Sequence, residues 1–227
     1  FNTAIGYRAA SNLSTAEYCT FIGAGSGTNA IVTGDNNTCV GYQSGYSLTD
    51  GVRNVIIGAK AGDAQTSAVD NILMGFDAGG AVTTGGYNCY IGSYTGDSDT
   101  TGSSNVAVGY SAFSSVTTNG SDTDGKPVYN TAIGAYALQD QNETDQTDSY
   151  GYNTAVGGFA GGQLTTAAFN TLIGFQAGGV GLVTGDHNTC VGHKAGSDLT
   201  SGNGNILVGS SAGNDITTGL YNVAVGL

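Results

Sequence analysis

One five-residue phrase, first written Asn2-Thr3-Ala4-Ile5-Gly6, returns along the chain to its last residues. The glycines that close it are Gly6, Gly23, Gly41, Gly58, Gly75, Gly92, Gly109, Gly134, Gly157, Gly174, Gly192, Gly209 and Gly226. Ten of the twelve intervals are 17 or 18 residues, and the other two are 25 and 23. A fixed period of this size marks a stacked repeat architecture, built by adding one supersecondary unit per period. It overrides the one or two globular domains that 227 residues would otherwise suggest.

Aligned copies read Asn, then Thr/Val/Ile, then an apolar residue, then Ile/Val, then Gly, with a Ser/Thr-rich, Gly-containing stretch later in each period. Three β-prone residues bounded by Asn and Gly are a short strand with a turn. One strand per period, always in the same phase, predicts an all-β fold: a parallel β-solenoid (β-roll or β-helix) of about thirteen coils. With strands ~4.8 Å apart, the rod would be about 60 Å long. Residues 1–227 read as one solenoid, with regular coils over 1–113, coils carrying insertions over 114–157, and regular coils again over 158–227.

Residues two apart in a strand share a face. The fourth position of the phrase (Ile5, Ile22, Val40, Ile57, Met74 and their equivalents) is branched or Met in every copy and is assigned to the core, beside Thr3, Val55, Ile72 and Val106. Leu48, Val82, Leu164, Leu199 and Ile216 supply the opposite wall. The third position then faces outward, although it too is apolar throughout. An apolar rank outside a thin solenoid is an interaction surface, and a symmetric bundle of identical chains covers it. This reading predicts a homo-oligomer, first of all a homotrimer, with Phe21, Ile56, Leu73, Tyr90, Leu172 and Leu207 at the interface. The alternative is a flatter coil that buries both strand faces within one chain.

Asn occupies the first position in twelve copies: Asn2, Asn37, Asn54, Asn71, Asn88, Asn105, Asn130, Asn153, Asn170, Asn188, Asn205 and Asn222, with Cys19 as the exception. Stacked amides form a ladder along the rod, and a catalytic residue would not be needed twelve times. The closing Gly fits a left-handed turn or a close backbone approach. The four cysteines, Cys19, Cys39, Cys89 and Cys190, lie in the phrase without CxxC spacing, so they read as buried thiols rather than zinc ligands. A Cys19–Cys39 disulfide would require the two coils to be out of phase.

The net charge of −12, with only five Lys and Arg, disfavours nucleic acid and anionic membrane surfaces. No apolar run approaches the ~20 residues of a membrane span. The two long intervals carry Asp122, Asp124, Asp140, Glu143, Asp145 and Asp148, together with the only proline, Pro127. Insertions in a solenoid map to loops on one side, often the binding side. Solvated acidic loops are the plain reading; a Ca²⁺ site drawn from Asp122, Asp124, Asp145 and Asp148 is the functional one. No EF-hand or glycine-rich nonapeptide pattern accompanies them, and no other cofactor is expected. His187 and His193 read as surface residues. Sequons stand at Asn12, Asn36, Asn119 and Asn142.

A longer echo is present as well. Thr20–Gly41 returns as Thr171–Gly192, an offset of 151 residues that the next coils keep, as expected for a fibre lengthened by copying a block. The chain opens and closes in mid-repeat without polar capping coils. It therefore reads as a segment of a longer chain, or one that stacks end to end.

The run N-T-A-I-G-Y-x-A followed by T-T-G resembles the head repeats of trimeric autotransporter adhesins, and more closely the shaft repeats of phage tail fibres and tail spikes. The resemblance is best at the phrases opening on Asn2, Asn130, Asn153, Asn170 and Asn188. It implies a trimeric shaft outside the cell, on the cell surface or on a virion, serving attachment and not catalysis. Ile5-Gly6-Tyr7-Arg8-Ala9 also resembles the hexapeptide unit of left-handed β-helix acyltransferases, which need it three times per coil against once here. An enzyme on a β-helix, acting on polysaccharide or acyl groups, is the second hypothesis. Ice binding by ranked threonines is the third, opposed by Thr in only seven copies and at a position read as inward. Tyr7, Tyr42, Phe76 and Tyr110, just past the closing Gly, suggest an aromatic stripe that glycans or a neighbouring chain would meet.

Overall fold

The computed structural model describes residues 1–115, 129–141, 151–179 and 183–227. Each copy of the phrase forms a three-residue strand: β1 (Thr3–Ile5), β2 (Thr20–Ile22), β3 (Thr38–Val40), β4 (Val55–Ile57), β5 (Ile72–Met74), β6 (Cys89–Ile91) and β7 (Val106–Val108). The series continues with β8 (Thr131–Ile133), β9 (Thr154–Val156), β10 (Thr171–Ile173), β11 (Thr189–Val191), β12 (Ile206–Val208) and β13 (Val223–Val225). All thirteen lie in one parallel sheet in chain order, each paired position for position with the next. The chain is a β-solenoid of about twelve turns. β7, β8 and β9 keep this register although the intervals between them are the two long ones, so the extra residues do not interrupt the sheet.

The strands face the opposite way from the sequence-based assignment. Their middle residues point inward: Phe21, Ile56, Leu73, Tyr90 and Leu207 are fully buried and Leu172 nearly so, all within one chain. These six are core and cannot meet a second chain. The supposed core rank of Ile5, Ile22, Val40 and their equivalents points outward, together with the second-position rank, and no member of either rank is buried. The flatter coil that buries both strand faces is not formed either.

The physical reason for this orientation lies in volume matching. Six residues past each strand centre the chain takes a left-handed conformation, as at Gly79 (φ 60°), Gly96 (φ 60°), Phe113 (φ 56°) and Leu138 (φ 47°). A Cβ on Gly27 or Gly96 would collide with the ring of Phe21 or Tyr90 in the same coil. Where the strand centre is Ala107 or Ala132, that sixth residue is instead Phe113 or Leu138, both buried. In these coils large faces Gly and small faces large, which keeps the filled volume nearly constant; where both are small, at Ala155 and Gly161, Leu138 and Leu172 of the neighbouring coils take the space. Leu48, Val82, Leu164 and Leu199 close the opposite wall, as the sequence suggested.

Two hydrogen-bonded ranks and one line of close backbone contact tie coil to coil besides the sheet. In the amide rank, the backbone N–H of Asn71 donates to Oδ1 of Asn54 (3.0 Å), Asn88 to Asn71 (2.8 Å), and so on to Asn222 on Asn205 (3.0 Å). Along the rank Nδ2 also closes the residue's own coil, Asn71 donating to the carbonyl of Gly85 (2.8 Å) and Asn188 to that of Gly202 (2.8 Å), whereas Nδ2 of Asn105 is buried without a partner among the described residues. The residue before the Asn is left-handed in coil after coil (Arg53, Asp70, Tyr87, Phe169), which turns the following N–H away from the sheet ladder. The side-chain oxygen of the neighbouring Asn satisfies it. On the other wall, hydroxyls of Thr49, Thr66 and Thr83 donate to the carbonyls of Thr66, Thr83 and Thr100. The closing glycines form the third contact line: a Cβ on Gly109 would sit 2.6 Å from the carbonyl carbon of Gly134, and φ there is 139°. Only Gly allows this approach.

Candidate interaction surface

The outward face of the sheet carries two parallel ranks of side chains. The fourth-position rank is Ile, Val or Met in every coil; the second-position rank holds seven Thr and six apolar residues, Cys89 among them. No charged residue occurs in either. In the interior coils Ile72, Ile91, Val106, Ile133, Ile173 and Ile206 are exposed, from 37% at Ile91 to 45% at Ile206, and the remaining members of both ranks are half-buried. Monomers rarely show a continuous apolar patch above a few hundred Å². Twelve strand steps of ~4.8 Å and a width of roughly 10 Å give this face on the order of 600 Å².

Ladders of rings flank it on both sides. Just past the closing Gly, Phe76, Tyr94, Tyr110, Tyr136, Phe159, Phe175 and His193 follow one another with ring centres 4.8 to 6.1 Å apart. Just before the Asn, Tyr129, Tyr152, Phe169 and His187 stack nearly face to face at 4.9 to 5.3 Å. Phe76 and Tyr110 were marked in the sequence; Tyr94, Tyr136 and Phe159, one place further on, were not. The ladder alternates between two positions, so neither position shows an unbroken aromatic rank alone. The second ladder was missed entirely, and its signal was the aromatic residue repeatedly preceding Asn. His187 and His193 are exposed and lie on separate ladders. In the same pre-Asn rank, Arg53 and Asp70 form a two-pronged ion pair at 2.7 Å, exposed and therefore contributing little.

All four cysteines are free, and burial pushes the Cys190 thiol up to about 12. Cys39 is raised further, by burial and then by Cys19, so the pair reads as inert small hydrophobes. Among the described residues no group of three or more His, Cys, Asp or Glu is placed to hold a metal ion. Asp122, Asp124, Asp145 and Asp148 lie outside the described residues, as do Asn119 and Asn142. The sequons at Asn12 and Asn36 are exposed.

Among the described residues one carboxyl is fully buried inside the coil. Asp99 is fully buried on the wall opposite the strands, accepting from the Tyr90 hydroxyl and from the N–H of Gly102 (2.8 Å). Burial raises its pKa, only partly opposed by those donors. A carboxyl with a raised folded-state pKa adds stability below its unfolded pKa and loses it as pH rises through the folded one. The Asp99→Asn chain should therefore melt higher than wild type at pH 8, by about 1–3 kcal/mol, and the difference should close at pH 4. Thermal melts at the two pH values check this.

The chain matches no protein-family model, no curated protein and no solved structure.

Proposed function

We propose that this chain is a shaft segment of an extracellular, non-catalytic fibre, at the cell surface or on a virion, that bundles with copies of itself and serves structure and attachment. The observation that carries the proposal is the outward sheet face: two uncharged ranks repeated without a break through thirteen coils. Only a partner with the same axial repeat meets such a face in register over its ~60 Å length, and a second copy of this chain has that repeat. The flanking ring ladders widen the contact to on the order of 1,000 Å² per chain, within the range of stable interfaces. A face only two side chains wide suits a three-fold arrangement, with each ladder wedged between neighbours. This is the trimeric reading that the repeat's resemblance implies, carried by a different rank of residues. Oligomer contacts pass from the strand centres to Ile22, Ile57, Val108, Ile133, Ile173 and Val208.

Light scattering on the purified chain tests it. The expected mass is three times the 22.5 kDa of the chain, falling to 22.5 kDa for Ile57→Asp combined with Val108→Asp, with the circular dichroism spectrum unchanged. A wild-type dimer would overturn the three-fold arrangement, and a stable monomer the bundling itself.

A second reading gains from the same finding. The threonines at the second position face outward, which removes one objection to ice binding. The rank is still broken from Val55 to Val106, so the reading stays second. A monomer that slows ice recrystallisation would favour it. For an enzyme, the two histidines stand on separate ladders instead of converging in a cleft, which counts against a histidine-base mechanism.

A further inference from the structure

The ring rank just past the closing glycine begins with a gap. Tyr7 in the first coil and Tyr42 in the third flank Ala24, and Gly25 takes the place that Arg8 and Gln43 hold on either side. β1 and β3 are two sheet steps apart, about 10 Å, so the missing side chains open a slot between two tyrosines. It forms a cleft of about 240 Å³ that also takes in Asn29 and Tyr46. Its floor is internally satisfied: the Gly25 N–H donates to the Tyr7 carbonyl (3.0 Å) and the Gln43 N–H to the Ala24 carbonyl (3.0 Å). The walls are not. From coil five to coil eleven the rings of this rank lie against one another, whereas among the described residues Tyr7, Tyr42 and Tyr46 have no ring neighbour. The side-chain donors of Arg8, Asn29 and Gln43 likewise take no partner within the described chain.

We infer that this slot binds a pyranose ring, preferentially one bearing a carboxylate. Two tyrosines about 10 Å apart suit a ring of pyranose thickness, whose axial C–H groups pack against aromatic faces. Planar amides and a guanidinium fork match vicinal hydroxyls, each of which both donates and accepts. Arg8 on one wall, with exposed Lys60 one coil beyond Gln43 in the same rank, supplies positive charge on a chain of net charge −12. That favours a uronic acid over its neutral counterpart. One chain builds the slot, so the inference does not rest on the bundling proposed above.

Saturation-transfer NMR with methyl β-D-glucuronide and methyl β-D-glucoside at millimolar concentration tests it. Transfer to both is expected, stronger for the glucuronide, and the Arg8→Ala chain should treat the two alike. Ala24→Tyr fills the gap with the ring that other coils carry, at a half-exposed position, and should abolish transfer while leaving the melt unchanged. Tyr42→Ala, which removes one wall, should weaken transfer at least tenfold. No transfer to either glycoside, or undiminished transfer with Ala24→Tyr, overturns the inference. A bundle that binds neither sugar would overturn it while leaving the proposed function standing, and a monomer that binds would do the reverse.

Discussion

Asn71→Leu should destabilise the chain by about 3–5 kcal/mol, because it orphans two buried backbone groups at about 1–3 kcal/mol each and strains the corner that holds them. Those groups are the N–H of Asn88, which now donates to Oδ1 of Asn71, and the carbonyl of Gly85, which now accepts from Nδ2. Asn71 is itself fully buried, and leucine fills its volume without leaving room for water. Denaturant titration checks the magnitude, and a loss below about 1 kcal/mol would show that the ladder is an ornament of the fold. The chain contains its own converse. Cys19 is the one break in the ladder, offering only sulfur to the Asn37 N–H at 3.4 Å. The equivalent position in the second block, 151 residues on, is Asn170, whose Oδ1 receives the Asn188 N–H at 2.8 Å and whose Nδ2 reaches the Gly185 carbonyl at 3.1 Å. Cys19→Asn should therefore stabilise the first coils by about 1 kcal/mol.

The period, the parallel stack, the amide rank, the glycine approach and the opposite wall could all be read from the residues, because each rests on a type or spacing that few structures satisfy. The facing of the strands could not be read from hydrophobicity. Two of the three strand positions are apolar throughout and the other alternates Thr with apolar residues, none of them charged, and a period-2 rule selects a face only when one side is clearly polar. What does separate them is size. The outward fourth position stays Ile, Val or Met, as a flat contact surface requires. The third position ranges from Ala4 to Tyr90, and in most coils its size runs opposite to that of the residue six places on: Phe21 with Gly27, Leu73 with Gly79, Ala107 with Phe113, though not Ala155 with Gly161. Compensation of that kind belongs to a closed core. It reverses which residues can touch a partner without disturbing the reason for expecting one. The slot at Ala24 was legible only as an absence, since a missing ring acquires meaning once the ladder around it is known.

The compensation itself makes the sharpest test of the core. Ala132→Leu places a branched side chain where Leu138 already fills the coil, and should cost about 1–3 kcal/mol through overpacking. Leu138→Gly empties a fully buried site and should cost about 2–4 kcal/mol, the relief of a left-handed leucine at φ 47° offsetting part of the cavity. Together the two changes recreate the Leu-and-Gly pair that Leu172 and Gly178 form two coils later, where a Cβ on Gly178 would collide with the leucine. The double variant should recover to within about 1 kcal/mol of wild type, a coupling at the upper end of what contacting residues show. Ala132→Leu combined with Phe113→Gly leaves Leu138 in the same coil as the new leucine, and should remain destabilised. If the costs at Ala132 and Leu138 simply add, then the strand centre does not share its space with the sixth residue, and volume matching is not what turns the third position of the phrase inward.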